Sequence, residues 1–138
     1  MKNLSVVTGA NGHLGNNLVR VLLEKGEAVM AGTRRGNRDQ ALAGLGCRVA
    51  RLDLGDPDSL EPGFTGAQTV YLVGAVFKHW ARDPVKEIYD ANIAATRHAL
   101  NAAAKCRVKR IVYVSSLAAT DRLNRPITEA GWNSDVSN

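Results

Sequence analysis

Three glycines near the N-terminus, Gly9, Gly12 and Gly15, follow one another at intervals of three residues. The mostly apolar residues 4–7 before them predict a buried strand, and apolar residues within 14–22 recur at helical spacing. In such a unit, one glycine permits the sharp turn, one lets the backbone approach a pyrophosphate, and one lets helix and strand pack closely. Unpaired N–H groups at the helix N-terminus attract the phosphates. The spacing therefore predicts a nucleotide-binding turn, with a purely structural glycine turn as the alternative.

Arg34 comes directly after a second apolar segment, residues 28–33, where a bound dinucleotide would place its adenosine ribose. An acidic residue at this point binds a free ribose 2′-OH, whereas an arginine accommodates a 2′-phosphate. Residues 28–38 contain three arginines and no Asp or Glu. The sequence therefore favours NADP over NAD, which stays possible as the second choice. The alternative is a solvated basic loop.

Residues Thr8–Gly15 read T-G-x-x-G-x-x-G, and here the chain resembles the extended short-chain dehydrogenases/reductases, the NAD(P)-dependent epimerase/dehydratase family. Residues 77–88 are similar to the dihydroflavonol-reductase-like branch, which has a similar Asp-Pro before its long helix. The resemblance covers the whole chain but only the front half of the usual protein. It implies that the turn binds the cofactor through Gly9, Asn11, Gly12, His13, Leu14 and Gly15.

Two further strand ends are assigned to the cofactor by the same resemblance. Members of the family use an Asp followed by an apolar residue to hold the adenine ring, which here is Asp53-Leu54. They also have a short Ala/Gly-rich segment after the fourth strand, which here is Val73-Gly74-Ala75. The alternatives are that Asp53 caps the turn into the next helix and that the second segment only packs tightly.

Asn92 lies inside the predicted long helix, in a segment similar to the family's N-x-x-G-T pattern, with Ala95 where glycine is usual. Because Asn is a mediocre helix former, a buried polar role is expected, and the resemblance places Asn92 among the cofactor-binding residues. An exposed Asn that needs no partner is the alternative.

Ser116 is the candidate catalytic residue, because Ser115-Ser116 resembles the serine pair after the family's fifth strand. In the family, the second serine helps to polarise the substrate carbonyl, and a Tyr-x-x-x-Lys pair exchanges the proton. That pair is absent from the 138 residues, since Tyr71, Tyr89 and Tyr113 are followed four residues later by Ala, Ile and Leu. The sequence is therefore expected to end just before its catalytic pair, and the chain alone is expected to be inactive.

Strands alternate with helices along the chain, which predicts an α/β fold: a Rossmann-type, doubly wound parallel sheet, truncated after about five strands and covered on both sides. The dinucleotide-binding domain is assigned to residues 1–116, and residues 117–138 to a loop leading towards the missing catalytic portion. The expected strands are residues 4–7, 28–33, 47–52, 69–73 and 111–115, and the expected helices are residues 13–25, a weak one through 41–45, one starting at 56–60, and 84–105.

Composition excludes several other classes of protein. Hydrophobic content of 45% and charged content of 22% are ordinary for a globular domain. No apolar run approaches the roughly 18 residues of a membrane span, and Cys47 and Cys106 match no metal or redox spacing. The net charge of +5 permits nucleic-acid binding, but the basic residues are scattered. A cytoplasmic protein without metal, membrane or nucleic-acid partner is expected, and homodimerisation stays open.

Two functions of different classes fit these features. The first is the NADP(H)-binding portion of an oxidoreductase that reduces a carbonyl substrate, or of a sugar-nucleotide-type epimerase. The second is a non-catalytic redox sensor of the same fold, which binds the dinucleotide and reports to a partner. Fold alone does not separate them, and the identity of the small-molecule substrate is not encoded in these residues.

Overall fold

Five parallel strands form one sheet in the structure, a computed structural model that describes residues 3–120 and 131. The strands are β1 (Leu4–Thr8), β2 (Ala28–Thr33), β3 (Arg48–Arg51), β4 (Thr69–Leu72) and β5 (Arg110–Tyr113). Their spatial order is β3-β2-β1-β4-β5, and each pairing is parallel. The order reverses between β1 and β4. In open α/β sheets, ligands bind at the carboxyl ends of the strands at such a switch point.

Helices connect the strands and cover the sheet. They are α1 (His13–Glu24), α2 (Leu60–Phe64) and α3 (Ala91–Lys105), the last preceded by a π-helix at Val85–Asp90. Short 3₁₀ turns lie at Gly36–Arg38, Gln40–Leu42, Pro57–Ser59 and Leu117–Ala119. This architecture confirms the predicted Rossmann-type α/β fold.

Alternate residues of β1 point into two separate cores. Val6 packs in a cluster with Phe64 of α2 and with buried alanines of α3, while Val7 packs on the other face with Val19 of α1. Both valines are fully buried. Burial on two faces is what a central parallel strand requires, so the apolar segments of β1 and β2 are explained by their place in the middle of the sheet.

The edge strand β5 does not follow the expectation that helices cover both sides of the sheet. All four of its residues are exposed in the described part of the chain, including Val112 at 37% and Tyr113 at 57%. Three of the alanines that α3 buries, at 99, 102 and 103, join the cluster of Val6 and Phe64 rather than one over β5. Within the described part of the chain, β5 is therefore an edge strand with exposed side chains.

Two expected helices are also corrected. The weak helix through residues 41–45 is instead a single 3₁₀ turn at Gln40–Leu42, because the Asp39 side chain accepts from Ala41 N and Gly44 and Gly46 adopt positive φ. The first six residues of the long helix form the π-helix, where Ile88 O accepts from the Asn92 side chain. The other strands and helices agree with their expected bounds within one or two residues. Of the expected loop at 117–138, only residues 117–120 and 131 lie within the described part of the chain.

Candidate functional site

The turn after β1 lies directly against the backbone that leaves β4. Gly9 has a φ of +62°, which favours glycine. A Cβ at this position would also lie 2.7 Å from Gly74 Cα, closer than packed atoms approach. Gly9 and Gly74, which are 65 positions apart in sequence, thus meet at the switch point of the sheet, as the assignment of both to one site requires.

The other two glycines of the turn, Gly12 and Gly15, differ in how strongly the packing requires a residue without a side chain. A Cβ on Gly15 would collide with Gly9 O and lie 2.9 Å from Ala10 Cα, so α1 needs glycine there to pack against the turn. A Cβ on Gly12 would meet only Gly9 O, at 3.3 Å, and Gly12 has an ordinary φ of −78°. The protein's own packing therefore explains Gly9 and Gly15 but hardly requires Gly12. The predicted pyrophosphate, lying against this backbone, would supply that reason.

The N-terminus of α1 is open to such a ligand. Its N-cap, Gly12, has no side chain to bond the first N–H groups, and the first turn contains no acidic residue. Asn11, Gly12, His13 and Leu14 are all exposed, Leu14 by 50%. A helix end with unpaired N–H groups and a partial positive charge suits a phosphate, so these residues fit the pyrophosphate of a dinucleotide.

Thr8, which the sequence did not single out as a site residue, fixes the two sides of this crevice. Its fully buried hydroxyl donates to Tyr71 O at 3.3 Å. The same oxygen accepts from Val73 N at 3.1 Å and from Gly74 N at 3.3 Å. Thr8 thereby holds the segment that begins at Val73 beside the glycine turn. A hydroxyl at the carboxyl end of a strand whose other polar residue is Ser5 was the available signal.

Asp53 and Leu54 lie at the same edge, after β3. Asp53 Oδ1 accepts from Gly55 N at 3.0 Å, which is the turn-stabilising role. Asp53 N donates to Ser59 Oγ at 2.9 Å. Leu54 Cδ1 would lie 3.3 Å from a Cβ on Gly74, so the predicted adenine segment borders the crevice. The carboxylate thus acts in the local turn, while the neighbouring leucine faces the shared site.

Arginines surround an open cavity of about 520 Å³ beyond the ends of β2 and β3, lined by Arg34, Arg35, Arg38 and Arg51. Arg51 had not been selected from the sequence. Its Nη1 lies 2.8 Å from Asp56 Oδ2. The hydrogen bond from Arg51 holds the pKa of the Asp56 carboxyl below its usual range. Among the described residues, no acidic side chain forms an ion pair with Arg34, Arg35 or Arg38, so the cavity has strong positive charge.

Two buried polar atoms border this arginine segment. Thr33 Oγ1 precedes it and Asp39 Oδ2 follows it, and neither has a hydrogen-bond partner in the described part of the protein. Buried polar atoms are normally paired. A hydroxyl such as Thr33 Oγ1 can donate to a ligand oxygen, whereas a carboxylate oxygen such as Asp39 Oδ2 only accepts and does not attract a phosphate.

Asn92 is half-buried, and its amide is bound to backbone groups. Oδ1 accepts from Val76 N at 2.8 Å, and Nδ2 donates to Val76 O at 2.8 Å and to Ile88 O at 2.9 Å. The expected polar role is therefore present, and the exposed alternative is wrong. The side chain fixes the loop after Ala75, so it acts on the site through the backbone. Ala95 is buried in place of the usual glycine.

Ser116 lies three residues after β5, at the same carboxyl edge of the sheet, and is exposed. Its carbonyl accepts from Ala119 N at 2.9 Å, which starts a 3₁₀ turn. The structure thus places Ser116 on the β5 side of the crevice and the arginines on the β2–β3 side. In residues 3–120, no cluster of three metal-ligating side chains occurs, and no helix there is long and apolar enough to cross a membrane.

A parallel sheet with this strand order, a glycine turn at its switch point and an open helix N-terminus define a dinucleotide-binding α/β protein. The model of the NAD dependent epimerase/dehydratase family matches residues 5–134. The chain belongs to that family, which confirms the resemblance and the predicted class of cofactor, a nicotinamide dinucleotide.

Individual relatives agree with this membership. The chain is 39% identical to sterol demethylase protein B of Methylococcus capsulatus, over 83% of this chain and 35% of that protein. It is 38% identical to a putative dihydroflavonol 4-reductase of Synechocystis, over 86% of this chain and 34% of the relative. The solved structure of the protein gox2253 is similar with a TM-score of 0.77 and 35% identity, over 87% of this chain and 36% of that one. The chain therefore spans about a third of the length of the curated relatives it matches.

Proposed function

We propose that this chain is the NADP(H)-binding portion of a carbonyl reductase or epimerase of the family. The single observation that carries the choice of NADP is the arginine-lined cavity beyond β2 and β3. A ribose 2′-phosphate carries about −1.5 to −2 charges at neutral pH, and arginine binds phosphate oxygens in pairs. The names of relatives that contain reductase, such as the Synechocystis protein, support carbonyl reduction. The substrate in this proposal is a small molecule.

Within this proposal, each predicted residue has a separate task. The turn at Gly9–Gly15 receives the pyrophosphate, Arg34 receives the 2′-phosphate, and Leu54 borders the adenine. Ser116 donates a hydrogen bond to the substrate carbonyl oxygen. A serine holds its proton too tightly to be the acid, so a further group such as a tyrosine must supply the proton.

Replacement of Arg34 by alanine tests the choice of cofactor. A charge-assisted hydrogen bond contributes about 1.5–3 kcal/mol, so the variant should lose roughly 10- to 150-fold in NADPH affinity. NADH affinity should change little, because NADH has no 2′-phosphate. Calorimetry with both cofactors gives the ratio, and Arg48→Ala on the exposed side of β3 is the matched control. Equal affinity of the unchanged chain for both cofactors would contradict the proposal.

The redox-sensor function is a second candidate because no Tyr-x-x-x-Lys pair occurs in the 138 residues. NADPH oxidation with a panel of aldehydes and ketones distinguishes the two, measured on this chain and on one extended to the next stop codon of the gene. The enzyme proposal expects turnover only from the extended chain. No turnover from an extended chain that also lacks the pair would favour the sensor.

We also propose a cytoplasmic compartment and a homodimer. A cytoplasmic location is supported by Cys47 and Cys106, which are both free thiols. A homodimer is supported by the exposed edge strand β5, because an unpaired edge strand is a template for a second chain. Size-exclusion chromatography of the wild type and of Val112→Lys tests the dimer.

A further inference from the structure

Arg51 ends β3 directly beneath the arginine segment that follows β2. It is paired in register with Thr33, and Leu52 N donates to Thr33 O at 2.9 Å. Gly36 has a φ of +57°, and a Cβ there would lie 3.2 Å from both the N and the Cβ of Arg51. The turn at 36–38 therefore folds closely over Arg51, which brings residues from two different strand ends to one cavity.

The Arg51 guanidinium is held by an ion pair with Asp56. Asp56 Oδ2 lies 2.8 Å from Nη1, and the Arg51 side chain is 56% exposed. A guanidinium has five N–H donors in a rigid fork, and this ion pair engages Nη1. The Asp56 carboxylate thereby fixes the position of the guanidinium. The other N–H donors of the guanidinium are available to a ligand in the cavity.

We propose that Arg51, positioned by Asp56, is a specificity-determining residue for the 2′-phosphate of the dinucleotide, and acts together with Arg34. This inference rests on the proposed function. A phosphate with nearly two negative charges requires two cations for neutralisation, and Arg34 supplies one. Arg35 and Arg38 also line the cavity, but no described carboxylate holds them. A side chain that is already ordered loses less rotamer entropy on binding, which favours Arg51 as the second cation.

The test compares adenosine 2′,5′-bisphosphate with adenosine 5′-monophosphate, which differ only in the 2′-phosphate. The readout is the ratio of their dissociation constants, measured by calorimetry at fixed ionic strength. Arg51→Gln should lower the preference for the bisphosphate by at least about tenfold. Arg48→Gln, which removes the same charge from the other end of β3, should change the preference by less than about twofold, since distant exposed charges are screened.

Two further variants separate positioning from simple charge. Arg51→Lys keeps the charge but has no fork with which to bind Asp56 and a phosphate together, so an intermediate preference is expected. Asp56→Asn makes the cavity more positive but releases Arg51. If Asp56 positions Arg51, the preference falls; if only total charge matters, the preference rises, and the positioning role is refuted. Circular dichroism confirms that each variant is folded, and Arg51→Lys replaces Arg51→Gln if the latter is not.

The outcomes also separate this inference from the proposed function. If the unchanged chain shows no preference for the bisphosphate, the NADP proposal itself fails. A different result overturns only the assignment of Arg51. In that case the unchanged chain prefers the bisphosphate and Arg34→Ala loses this preference, but Arg51→Gln keeps the same preference as the control Arg48→Gln. The NADP proposal then stands.

Discussion

Replacement of Gly12 by valine should abolish dinucleotide binding and leave the fold intact. The backbone at Gly12 has φ −78° and ψ 171°, which any residue adopts, and the nearest atom to an added Cβ is Gly9 O at 3.3 Å. The change from glycine to a poor N-cap residue costs about 0.5–1 kcal/mol of stability. The branched side chain, however, would occupy the space in front of the α1 N-terminus. The affinity for the dinucleotide should therefore fall sharply, while the free energy of unfolding changes little.

The expected loss of affinity follows from the hydrogen bonds that valine would displace. Each backbone N–H bound to a charged phosphate contributes about 1.5–3 kcal/mol. Displacement of two such bonds costs about 3–6 kcal/mol, which is more than about a hundredfold in the dissociation constant. Gly12→Ala, with a single methyl group, should lie between the wild type and Gly12→Val.

Calorimetry with NADPH measures binding, and urea unfolding followed by circular dichroism measures stability. Gly15→Ala is the contrasting variant, because its Cβ would collide with the backbone of Gly9 and Ala10. That variant should lower the free energy of unfolding by more than Gly12→Val does. If Gly12→Val binds NADPH within about threefold of the wild type, well under the tenfold that 1.4 kcal/mol represents, the turn is purely structural and the phosphate assignment is refuted.

Two further predictions concern the loop after β4. Asn92→Ala leaves Val76 N and O without their side-chain partner, so urea unfolding should show a loss of about 1–3 kcal/mol in the free energy of unfolding. Asn92→Asp keeps the acceptor for Val76 N but places a carboxylate oxygen against the carbonyls of Val76 and Ile88, so it should lose at least as much. Glu87 accepts from Lys78 Nζ and from two backbone N–H groups, and the Lys78 contact lowers its pKa. Its stabilisation of the loop is therefore complete above the unfolded-state pKa of about 4.3 and is lost as the pH falls through the lower folded-state pKa. Trp80 is an exposed residue of the same loop. Its fluorescence in a Trp132→Phe background, which removes the other tryptophan, should report this acid transition, and Glu87→Gln should remove the transition.

Features that depend on neighbouring residues were predictable from the sequence. The glycine spacing and the apolar segments around it predicted β1, the turn and α1 almost to the residue, because φ preferences and side-chain periodicity act locally. The long helix was predicted in extent but not in form. Its π-helical start involves Ile88 O, which accepts from the Asn92 side chain, and side-chain hydrogen bonds of this kind leave no periodic signal in the sequence.

Contacts between distant residues were beyond the sequence. Thr8 bonds to Val73 and Gly74 across about 65 positions, and Gly36 covers Arg51 only because β2 and β3 are adjacent. These contacts depend on strand order, which alternation of strands and helices does not specify. The exposure of β5 was missed for the same reason, since its residues are apolar enough to predict burial.

Under the proposed function, strand order would keep selection of the cofactor and chemistry on the substrate apart. The arginines lie beyond β2 and β3 at one side of the glycine turn, and Ser116 follows β5 at the other. Four strand intervals separate β3 from β5, about 19 Å at about 4.8 Å each. A dinucleotide held by its central pyrophosphate at the turn would reach the arginines with one half and the Ser116 side with the other. We therefore expect changes at Arg34 or Arg51 to alter which dinucleotide binds, and changes at Ser116 to alter only what happens to the substrate.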